Sequence, residues 1–195
     1  MHVGKRIGIM KITFITSNEG KFNEVRLALG NEGHEVVWLR RTYPEIQTAL
    51  LEEVVEEGLE WVQARMAPSG PFMIEDSGLF IDALGGFPGV FSAYVFKTIG
   101  NAGILKLMKG EKNRGASFES RIGFYSKESG PHIFRGSCPG TIAAGPKGKM
   151  GFGYDPIFIP RGRKRTFGQM TDQSKNRISH RGKSVEAFLA FLKSA

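Results

Sequence analysis

The sequence predicts an α/β domain built on a mixed β-sheet, and two observations support this fold class. Strand and helix patterns alternate early in the chain, which is typical of parallel βαβ units. Strand-like segments then dominate the middle of the chain, as in an antiparallel meander. The chain has 195 residues, a length that suits one domain, so we expect a single domain over residues 1–195.

A β-α-β unit opens the chain. The segment KITFIT at 11–16 alternates in polarity and is rich in Ile, Thr and Phe, which is typical of a strand. Asn18 supplies helix-capping chemistry, and apolar residues between 22 and 29 fall on one face of the helix that follows. The segment EVVWL at 35–39 is predicted to be the second strand.

The later elements are predicted in the same way, from apolar residues that alternate as in a strand or recur on one face as in a helix. Residues 50–66 place apolar side chains on one helical face and glutamates on the other. PFMIED at 71–76 is a strand that we expect to end in a tight turn at Ser77 and Gly78. The remaining predicted elements are a loop at 85–94, a short helix at 102–110, a strand at 117–126, a strand pair or one bent strand at 132–144, a strand at 154–160 and a closing amphipathic helix at 184–193.

The bulk composition excludes several classes of protein. Apolar residues make up 41% of the chain, and no apolar run approaches the ~20 residues that cross a bilayer, so we expect no membrane contact. Lys11 interrupts the apolar stretch near the N-terminus, so we predict no signal peptide and interpret residues 1–10 as an N-terminal extension. Cys138 is the single cysteine, which rules out an intramolecular disulfide and favours the reducing cytoplasm.

Basic residues concentrate towards the C-terminal end. The chain carries a formal net charge of +8, and the window 161–183 alone carries +7 from eight basic residues and one acidic residue. Such an excess favours a polyanionic partner, either nucleic acid or the phosphates of a nucleotide. Because no known nucleic-acid-binding motif accompanies the window, we expect a nucleotide and not nucleic acid.

The segment TSNEGK joins the first strand to the first helix and suits phosphate binding. A strand that ends in small polar residues and turns into a helix directs free backbone N–H groups and the positive end of the helix dipole at one place. A lysine in the first turn adds a point charge. The candidate phosphate-binding residues are Thr16, Ser17, Asn18, Glu19, Gly20 and Lys21. An ordinary capped strand-to-helix turn explains the segment equally well.

Two adjacent carboxylates, Glu75 and Asp76, come directly after an apolar strand. Unpaired buried carboxylates carry a large free-energy penalty, so these must reach solvent, pair with basic groups or hold a cation. Mg²⁺ prefers one or two carboxylates together with water and substrate phosphates. We therefore predict a metal site formed by Glu45, Glu75 and Asp76. An Asx-type turn explains Asp76 to Gly78 without any function, but it does not explain Glu75.

Two further segments carry groups that suit a nucleobase. In GFGYDP, glycines flank Phe152 and would bare its ring for stacking, and Asp155 could accept a hydrogen bond from a ring N–H. SKNRISHRGK supplies Lys175, His180 and Arg181, whose donors suit a carbonyl on a base edge. Taken singly, these segments also fit a glycine-rich hairpin and a surface turn before the last helix. Taken together, the four segments indicate a nucleotide-handling enzyme.

The four segments are similar to the motifs of the inosine/xanthosine triphosphate pyrophosphatase family. TSNEGK resembles its T-[GS]-N-x-x-K motif, IEDSGLFIDALGGFPGVFSA its acidic centre, GFGYDPIF its base-binding loop and ISHRGK its C-terminal signature. The resemblance covers about residues 11–193, with the motifs in the family's order. It implies a long mixed sheet flanked by helices, two lobes with a central cleft, and a homodimer.

The resemblance also implies a reaction, in which water converts a nucleoside triphosphate to the monophosphate and pyrophosphate with Mg²⁺ as cofactor. The implied substrates are ITP, dITP and XTP. Asp76 would be the catalytic acid or base and a metal ligand, Glu45 a second ligand and Glu75 an auxiliary one. Residues 16–21 and Ser77 would contact the phosphates, and the nucleoside pocket would comprise Phe152, Gly153, Tyr154, Asp155, Lys175, His180 and Arg181. A hydrolase that releases phosphate instead of pyrophosphate stays open as an alternative.

Overall fold

The computed structural model describes residues 9–194, and in that range the chain forms one mixed β-sheet with helices on both faces. The strands are β1 Lys11–Ile15, β2 Glu35–Leu39, β3 Phe72–Ile81, β4 Pro88–Gly89, β5 Gly115–Ser126, β6 Gly130–Ile142 and β7 Phe158–Pro160. The α-helices are α1 Glu19–Gly30, α2 Leu51–Arg65, α3 Ser92–Thr98, α4 Gly100–Leu107, α5 Asp172–Asn176 and α6 His180–Ser194. The predicted α/β class with a mixed sheet is confirmed.

The sheet combines a parallel part and an antiparallel part. Its strand order is β2-β1-β3-β5-β6-β7, and the two-residue β4 pairs with β3 outside this path. β1 pairs in parallel with β2 and β3, whereas β3, β5, β6 and β7 pair antiparallel in turn. The parallel part is the β-α-β unit predicted at the start of the chain, and the antiparallel part is the predicted meander.

Helix α1 begins where a capping side chain follows β1. Asn18 Oδ1 accepts a hydrogen bond from Lys21 N at 3.1 Å, which satisfies one of the N–H groups left free at a helix start. Phe22, Val25 and Leu29 are buried on the face of the helix that meets the core. The cap fixes the first residue of α1 and thereby places Lys21 in its first turn.

The predicted turn at Ser77 and Gly78 is wrong, because β3 runs straight through it. Ser77 pairs with Ser120 of β5, and Gly78 pairs with Glu119. A side chain at Gly78 would collide with the carbonyl oxygen of Gly89 in β4, so glycine is needed here for close strand approach and not for turning. The Asp-Ser-Gly sequence suggested a turn, but the cross-strand partners of β5 override that local preference.

Several other predicted bounds need correction. The predicted loop at 85–94 contains β4 and the start of α3; of the two predictions for 132–144, the single strand is confirmed, as β6. Of the predicted strand at 154–160 only the last three residues form a strand, preceded by a 3₁₀ turn at Asp155–Ile157. The last helix begins at His180 and not at 184, so the candidate His-Arg pair lies in its first turn.

Three hydrophobic clusters make up the core of the described chain. One, around Phe14 and Phe188, lies between the sheet and helices α1 and α6. A second, around Val55 and Ile74, lies under α2 on the other face. The third, around Phe118, packs against α4 and the segment that holds β7. The three clusters share no residue, so the core of the described chain is divided and not continuous.

Most of the predicted N-terminal extension, residues 1–8 of 1–10, lies outside the described residues. Within residues 9–194, no helix is long and apolar enough to cross a membrane. That the whole chain forms a single domain stays a prediction.

Candidate active site

A cavity of about 630 Å³ opens where β1 stops and β3 continues. β1 pairs with β3 at Phe72 and Met73 and ends at Ile15, and β4 pairs with β3 again at Leu79 and Phe80, so among the described residues a gap in the sheet lies beside Glu75, Asp76 and Ser77. Ligand sites in α/β sheets lie beyond the carboxyl ends of the parallel strands. The cavity has this position.

Most of the candidate residues line this cavity, although they come from distant parts of the chain. Those that line it are Thr16, Ser17, Asn18, Lys21, Glu45, Glu75, Asp76, Ser77, Phe152, Gly153, Tyr154, Asp155, Lys175, His180 and Arg181. The two candidates that do not are Glu19, which is exposed in the first turn of α1, and Gly20. The predicted convergence of four segments is therefore present in the fold.

The two adjacent carboxylates point to opposite faces of the sheet. Side chains along a strand alternate between faces, so Met73, Glu75 and Ser77 share one face, and Ile74 and Asp76 share the other. Met73 accordingly packs in the α1/α6 cluster, and Ile74 packs in the α2 cluster. Glu75 and Asp76 therefore meet different neighbours although they are consecutive in the sequence.

Lys21 reaches over the open edge of β3 and contacts both acidic residues. Its Nζ donates to the backbone oxygen of Glu75 at 3.1 Å and lies 3.1 Å from Glu75 Oε2 and 3.4 Å from Asp76 Oδ1. The lysine thus takes the place of the strand partner that β1 would have supplied to the Glu75 carbonyl group. A candidate phosphate-binding charge is held beside the candidate catalytic carboxylate.

Glu75 is a buried anchor of an ion-pair network. Its Oε1 accepts from Ser120 Oγ at 2.7 Å and from Arg181 Nε at 3.1 Å, and Lys21 meets its Oε2. Burial acts to raise its pKa, but the charges of Arg181 and Lys21 outweigh that effect and lower the pKa to about 2. Because both carboxylate oxygens are engaged by protein groups, the predicted metal-ligand role of Glu75 does not fit this geometry.

Asp76 and Glu45 face the cavity without comparable compensation. Burial raises the pKa of Asp76 above its ordinary value, and the negative charge of Glu75 adds to this shift against the opposing effect of Lys21. Burial likewise raises the pKa of Glu45, and the charge of Asp76 adds to it. Among residues 9–194, no group of three or more acidic, histidine or cysteine side chains is preassembled to hold a metal ion. Glu45 and Asp76 both line the cavity and have fewer protein partners than Glu75, so this pair is the part of the predicted metal set that fits a divalent cation.

Glu24 lies behind the candidate nucleobase residues and forms ion pairs with two of them. It is buried on α1, where its carboxylate forms ion pairs with Lys175 Nζ at 2.6 Å and with Arg181 Nη1. Lys175 also bonds Asp155 Oδ2 at 2.5 Å, and Arg181 Nη2 donates to Ser77 Oγ at 2.8 Å. Lys175 and Arg181 are thus buried and paired, and most of their donors are used within the protein.

Phe152 lies above these buried cations. The Lys175 ammonium is 4.7 Å and the Arg181 guanidinium 5.6 Å from the centre of its ring. Any side chain at Gly20 would collide with the ring, which explains the glycine at this place in α1. Phe152 N donates to Asp155 Oδ2 at 2.9 Å, so Asp155 shapes the loop that carries the ring.

His180 is buried and faces the cavity from the first turn of α6. Its ring stacks on Phe118 with 4.6 Å between centres and 10° between planes. Burial lowers its pKa well below the ordinary value, and the positive charge of Arg181 adds to the shift. The imidazole is therefore neutral at pH 7, and its Nδ1 has no hydrogen-bond partner among the described residues.

Sequence reasoning missed Glu24 and several residues that line the cavity. The additional lining residues are Arg41, Thr42, Tyr43, Ser92, Ala93, Phe96, Lys97 and Phe118. A signal for Glu24 existed, because it follows Lys21 by three residues and residues at that spacing share a helix face. The aromatic residues Phe96 and Phe118 gave no such signal, since any apolar residue in a helix or strand is expected in the core.

Comparison with known proteins identifies the family. The sequence matches the Ham1 family over residues 12–191. It is 54% identical to the dITP/XTP pyrophosphatase of Thermococcus kodakarensis over 94% of this chain and 98% of that protein. The chain belongs to the Ham1 family. The dITP/XTP pyrophosphatase of Methanopyrus kandleri is 46% identical to this Ham1-family chain, over 95% of this chain and 97% of its own length.

Solved Ham1 structures have the same fold as this Ham1-family chain. A HAM1 protein from Coxiella burnetii superposes with a TM-score of 0.78 at 30% identity, over 96% of this chain and all of that one. The Staphylococcus aureus Ham1 protein gives a TM-score of 0.75 at 28% identity, over 93% of this chain and 98% of that one. The resemblance proposed from the motifs is therefore confirmed at the level of family and fold.

Proposed function

We propose that this chain hydrolyses non-standard purine nucleoside triphosphates, namely ITP, dITP and XTP, to the monophosphate and pyrophosphate, and thereby removes them from the nucleotide pool. The observation that carries the proposal is one cavity that holds a helix N-terminus with Lys21, the carboxylates of Asp76 and Glu45, and an aromatic ring beside neutral His180. The names of the relatives, dITP/XTP pyrophosphatases, support this choice of substrate.

In this proposal the triphosphate lies along the N-terminal end of α1. Thr16, Ser17 and Asn18 line the cavity with small polar side chains beside the start of a helix, an arrangement that suits phosphate oxygens. Arg41 and Lys97 line the same cavity and add positive charge against the polyanion. Asp76, whose pKa is raised, orients the attacking water at the α-phosphorus and accepts its proton.

We propose Mg²⁺ as the cofactor, held by Asp76 and Glu45. Both carboxylates line the cavity, and burial raises the pKa of each, with the charge of Glu75 adding to the shift of Asp76 and the charge of Asp76 adding to the shift of Glu45, so a bound cation would stabilise their charged forms. When bound, the ion would neutralise charge on the phosphates and lower the pKa of the nucleophilic water. Glu75 would act only indirectly, by holding Lys21 and Arg181 in place.

Selectivity for a 6-keto purine would come from donors near the base edge. His180 is neutral and faces the cavity, so its N–H can donate to a keto oxygen. The 6-amino group of adenine is itself a donor, so it would face the N–H donor of His180, and a buried polar group would be left without a hydrogen bond. Phe152 supplies the stacking surface for either base, so the base-edge donors and not the ring carry the discrimination.

His180→Ala is expected to narrow the preference for ITP over ATP by about tenfold, the value of one hydrogen bond. The variant removes a donor from the keto oxygen and removes nothing from the phosphate end. The measurement is kcat/KM for both nucleotides, with His132→Ala as the control because His132 does not line the cavity. An unchanged ITP/ATP ratio would contradict this assignment of the base pocket.

Product analysis tests the reaction itself. The enzyme is incubated with ITP and Mg²⁺, and the phosphorus-containing products are separated and quantified. Inosine monophosphate and pyrophosphate in equal amounts support the proposal. Release of inorganic phosphate with formation of the diphosphate would establish the alternative hydrolase, and no turnover of ITP, dITP or XTP would overturn the function.

A nucleic-acid-binding module is the competing proposal, and burial weakens its basis. Of the eight basic residues in the +7 window, Lys175 and Arg181 are buried in ion pairs, and Lys183 Nζ donates to the backbone oxygen of Ser137 at 2.6 Å. The basic run at 161–165 stays exposed. Filter binding with RNA and with DNA at moderate salt separates the two proposals, because retention of either polymer would revive the module.

We further propose a homodimer that works in the cytoplasm. Phe87, Phe91 and Tyr94 expose large aromatic surfaces close together in the chain around α3, and grouped apolar exposure is typical of protein interfaces. The free thiol of Cys138 suits a reducing compartment. Sedimentation equilibrium of the full chain checks the dimer, and a mass of one chain at micromolar concentration would contradict it.

A further inference from the structure

The glycine-rich loop that carries Phe152 is attached to the helix pair α3–α4. Tyr154 Oη donates to the backbone oxygen of Ser92 at 3.0 Å, at the start of α3. Asn101 Nδ2 donates to the backbone oxygen of Gly153 at 3.1 Å, from the first turn of α4. These two hydrogen bonds involve Gly153 and Tyr154, the residues directly after Phe152, and they hold the loop against the helix pair.

The local backbone does not fix the Phe152 ring by itself. Gly151 and Gly153 flank it with φ values of +71° and +60°, a region that glycine enters at no steric cost. Glycines on both sides allow the backbone at Phe152 many conformations, so contacts with other parts of the chain must determine the observed one. Two of these contacts are polar: Phe152 N donates to Asp155 Oδ2, and Asn101 Nδ2 donates to Gly153 O.

The amide orientation of Asn101 is determined by its partner. Gly153 O is an acceptor, so the amide nitrogen must face it, because the reverse orientation would oppose two acceptors. The Oδ1 atom is then buried and has no hydrogen-bond partner among the described residues. A buried acceptor without a partner destabilises the fold, so the contribution of Asn101 to stability is small at best.

We infer that Asn101 is a positioning residue for the nucleobase, acting through the Gly153 carbonyl group to hold Phe152 in its stacking position. Asn101 does not itself line the cavity, so it touches no substrate. The inference rests on the proposed function, in which Phe152 stacks on the base. It assigns Asn101 to base binding, because its amide holds the loop of Phe152, whereas α1 and β3 form most of the triphosphate end and α3 adds only Lys97 to it.

Two variants test the inference. Asn101→Ala removes the side-chain donor, and Asn101→Asp keeps the shape of the side chain but puts an acceptor against Gly153 O. Both are expected to raise KM for ITP about three- to tenfold, the value of one neutral hydrogen bond, while kcat stays within about twofold. The inhibition constant of inorganic tripolyphosphate, which has no base, is expected to stay unchanged. Thr98→Ala is the control, since the Thr98 hydroxyl bonds only backbone oxygens of α3 in the described chain.

A merely structural role predicts a different pattern. It would lower the unfolding temperature and would weaken the binding of tripolyphosphate and of ITP alike. For Asn101→Ala we instead expect an unfolding temperature within a few degrees of that of the wild type. An unchanged KM for ITP in both Asn101 variants, or an equal loss of tripolyphosphate binding, would overturn the inference.

The proposed function and the positioning role are separable by experiment. Calorimetric binding of inosine monophosphate needs no turnover, and its dissociation constant should rise by the same factor in both Asn101 variants. A wild type that binds the monophosphate but releases no pyrophosphate from ITP would reject the proposed function and still measure the positioning role. A wild type that releases pyrophosphate from ITP, with both Asn101 variants binding inosine monophosphate as tightly as the wild type does, would overturn the positioning role and leave the proposed function standing.

Discussion

Asp76→Asn is expected to lower kcat for ITP by a factor of about 10² to 10⁴ with little change in stability. The loss corresponds to removing a positioned general base, and the variant also removes one of the two proposed metal ligands. The amide is isosteric with the carboxylate, and the pKa of Asp76 is raised, so the folded state gains little from its negative charge. The measurement is the rate of pyrophosphate release under saturating ITP, together with thermal unfolding.

The matched control for Asp76 is Asp82→Asn. Asp82 is exposed just beyond the end of β3 and does not line the cavity, so the same chemical change there should leave kcat unchanged. Near-wild-type turnover in Asp76→Asn would remove the basis for the proposed mechanism. Large unfolding of the variant would show instead that Asp76 supports the fold, as Glu75 does.

Glu24→Gln is expected to destabilise the folded protein by about 3–5 kcal/mol, the usual result of breaking a buried ion pair from one side. The carboxylate faces the buried cations Lys175 and Arg181, and the variant leaves them with Asp155 and Glu75 only. Urea unfolding at pH 7 measures the loss. Glu57→Gln is the control, because that glutamate is exposed on α2 and forms no ion pair within the described residues.

The pH dependence of the same variant gives a second readout. Burial acts to raise the pKa of Glu24, but the charges of Arg181 and Lys175 outweigh it and hold the pKa below its ordinary value of 4.5. Glu24 thus stabilises the fold fully above pH 4.5, and the contribution is lost as the pH falls through the lowered folded-state value. The stability gap between wild type and Glu24→Gln should therefore narrow below pH 4.5. A gap that is absent at pH 7, or that widens in acid, would contradict the network.

The sequence allowed the elements of the fold to be predicted better than the connections between them. Alternation in β1 and helical spacing in α1 are local signals, so both elements were found. The turn expected at Ser77 and Gly78 failed because Asp-Ser-Gly has turn chemistry, while the pairing of β3 with β5 depends on residues about 40 positions away. Strand pairing at that separation leaves no mark in a single sequence.

The residues of the candidate site likewise divide into those that a short motif predicts and those that only the folded structure reveals. Lys21, Phe152 and His180 were found because each lies in a short motif with recognisable chemistry. The distinct surroundings of Glu75 and Asp76 follow from strand periodicity, because both residues lie within the predicted strand 71–76 and consecutive side chains point to opposite faces of a sheet. The pairing of Glu24 with Lys175 joins residues that lie 151 positions apart, so only the folded chain reveals it.

The early end of β1 has a consequence for the hydrogen bonding of β3. At β3 the backbone oxygen of Glu75, which lies between the positions paired with β1 and with β4, accepts a hydrogen bond from the Lys21 ammonium, and that charged side chain lies in the gap. The lysine proposed to bind phosphate therefore also takes up a backbone acceptor that the gap between β1 and β4 leaves without a strand partner.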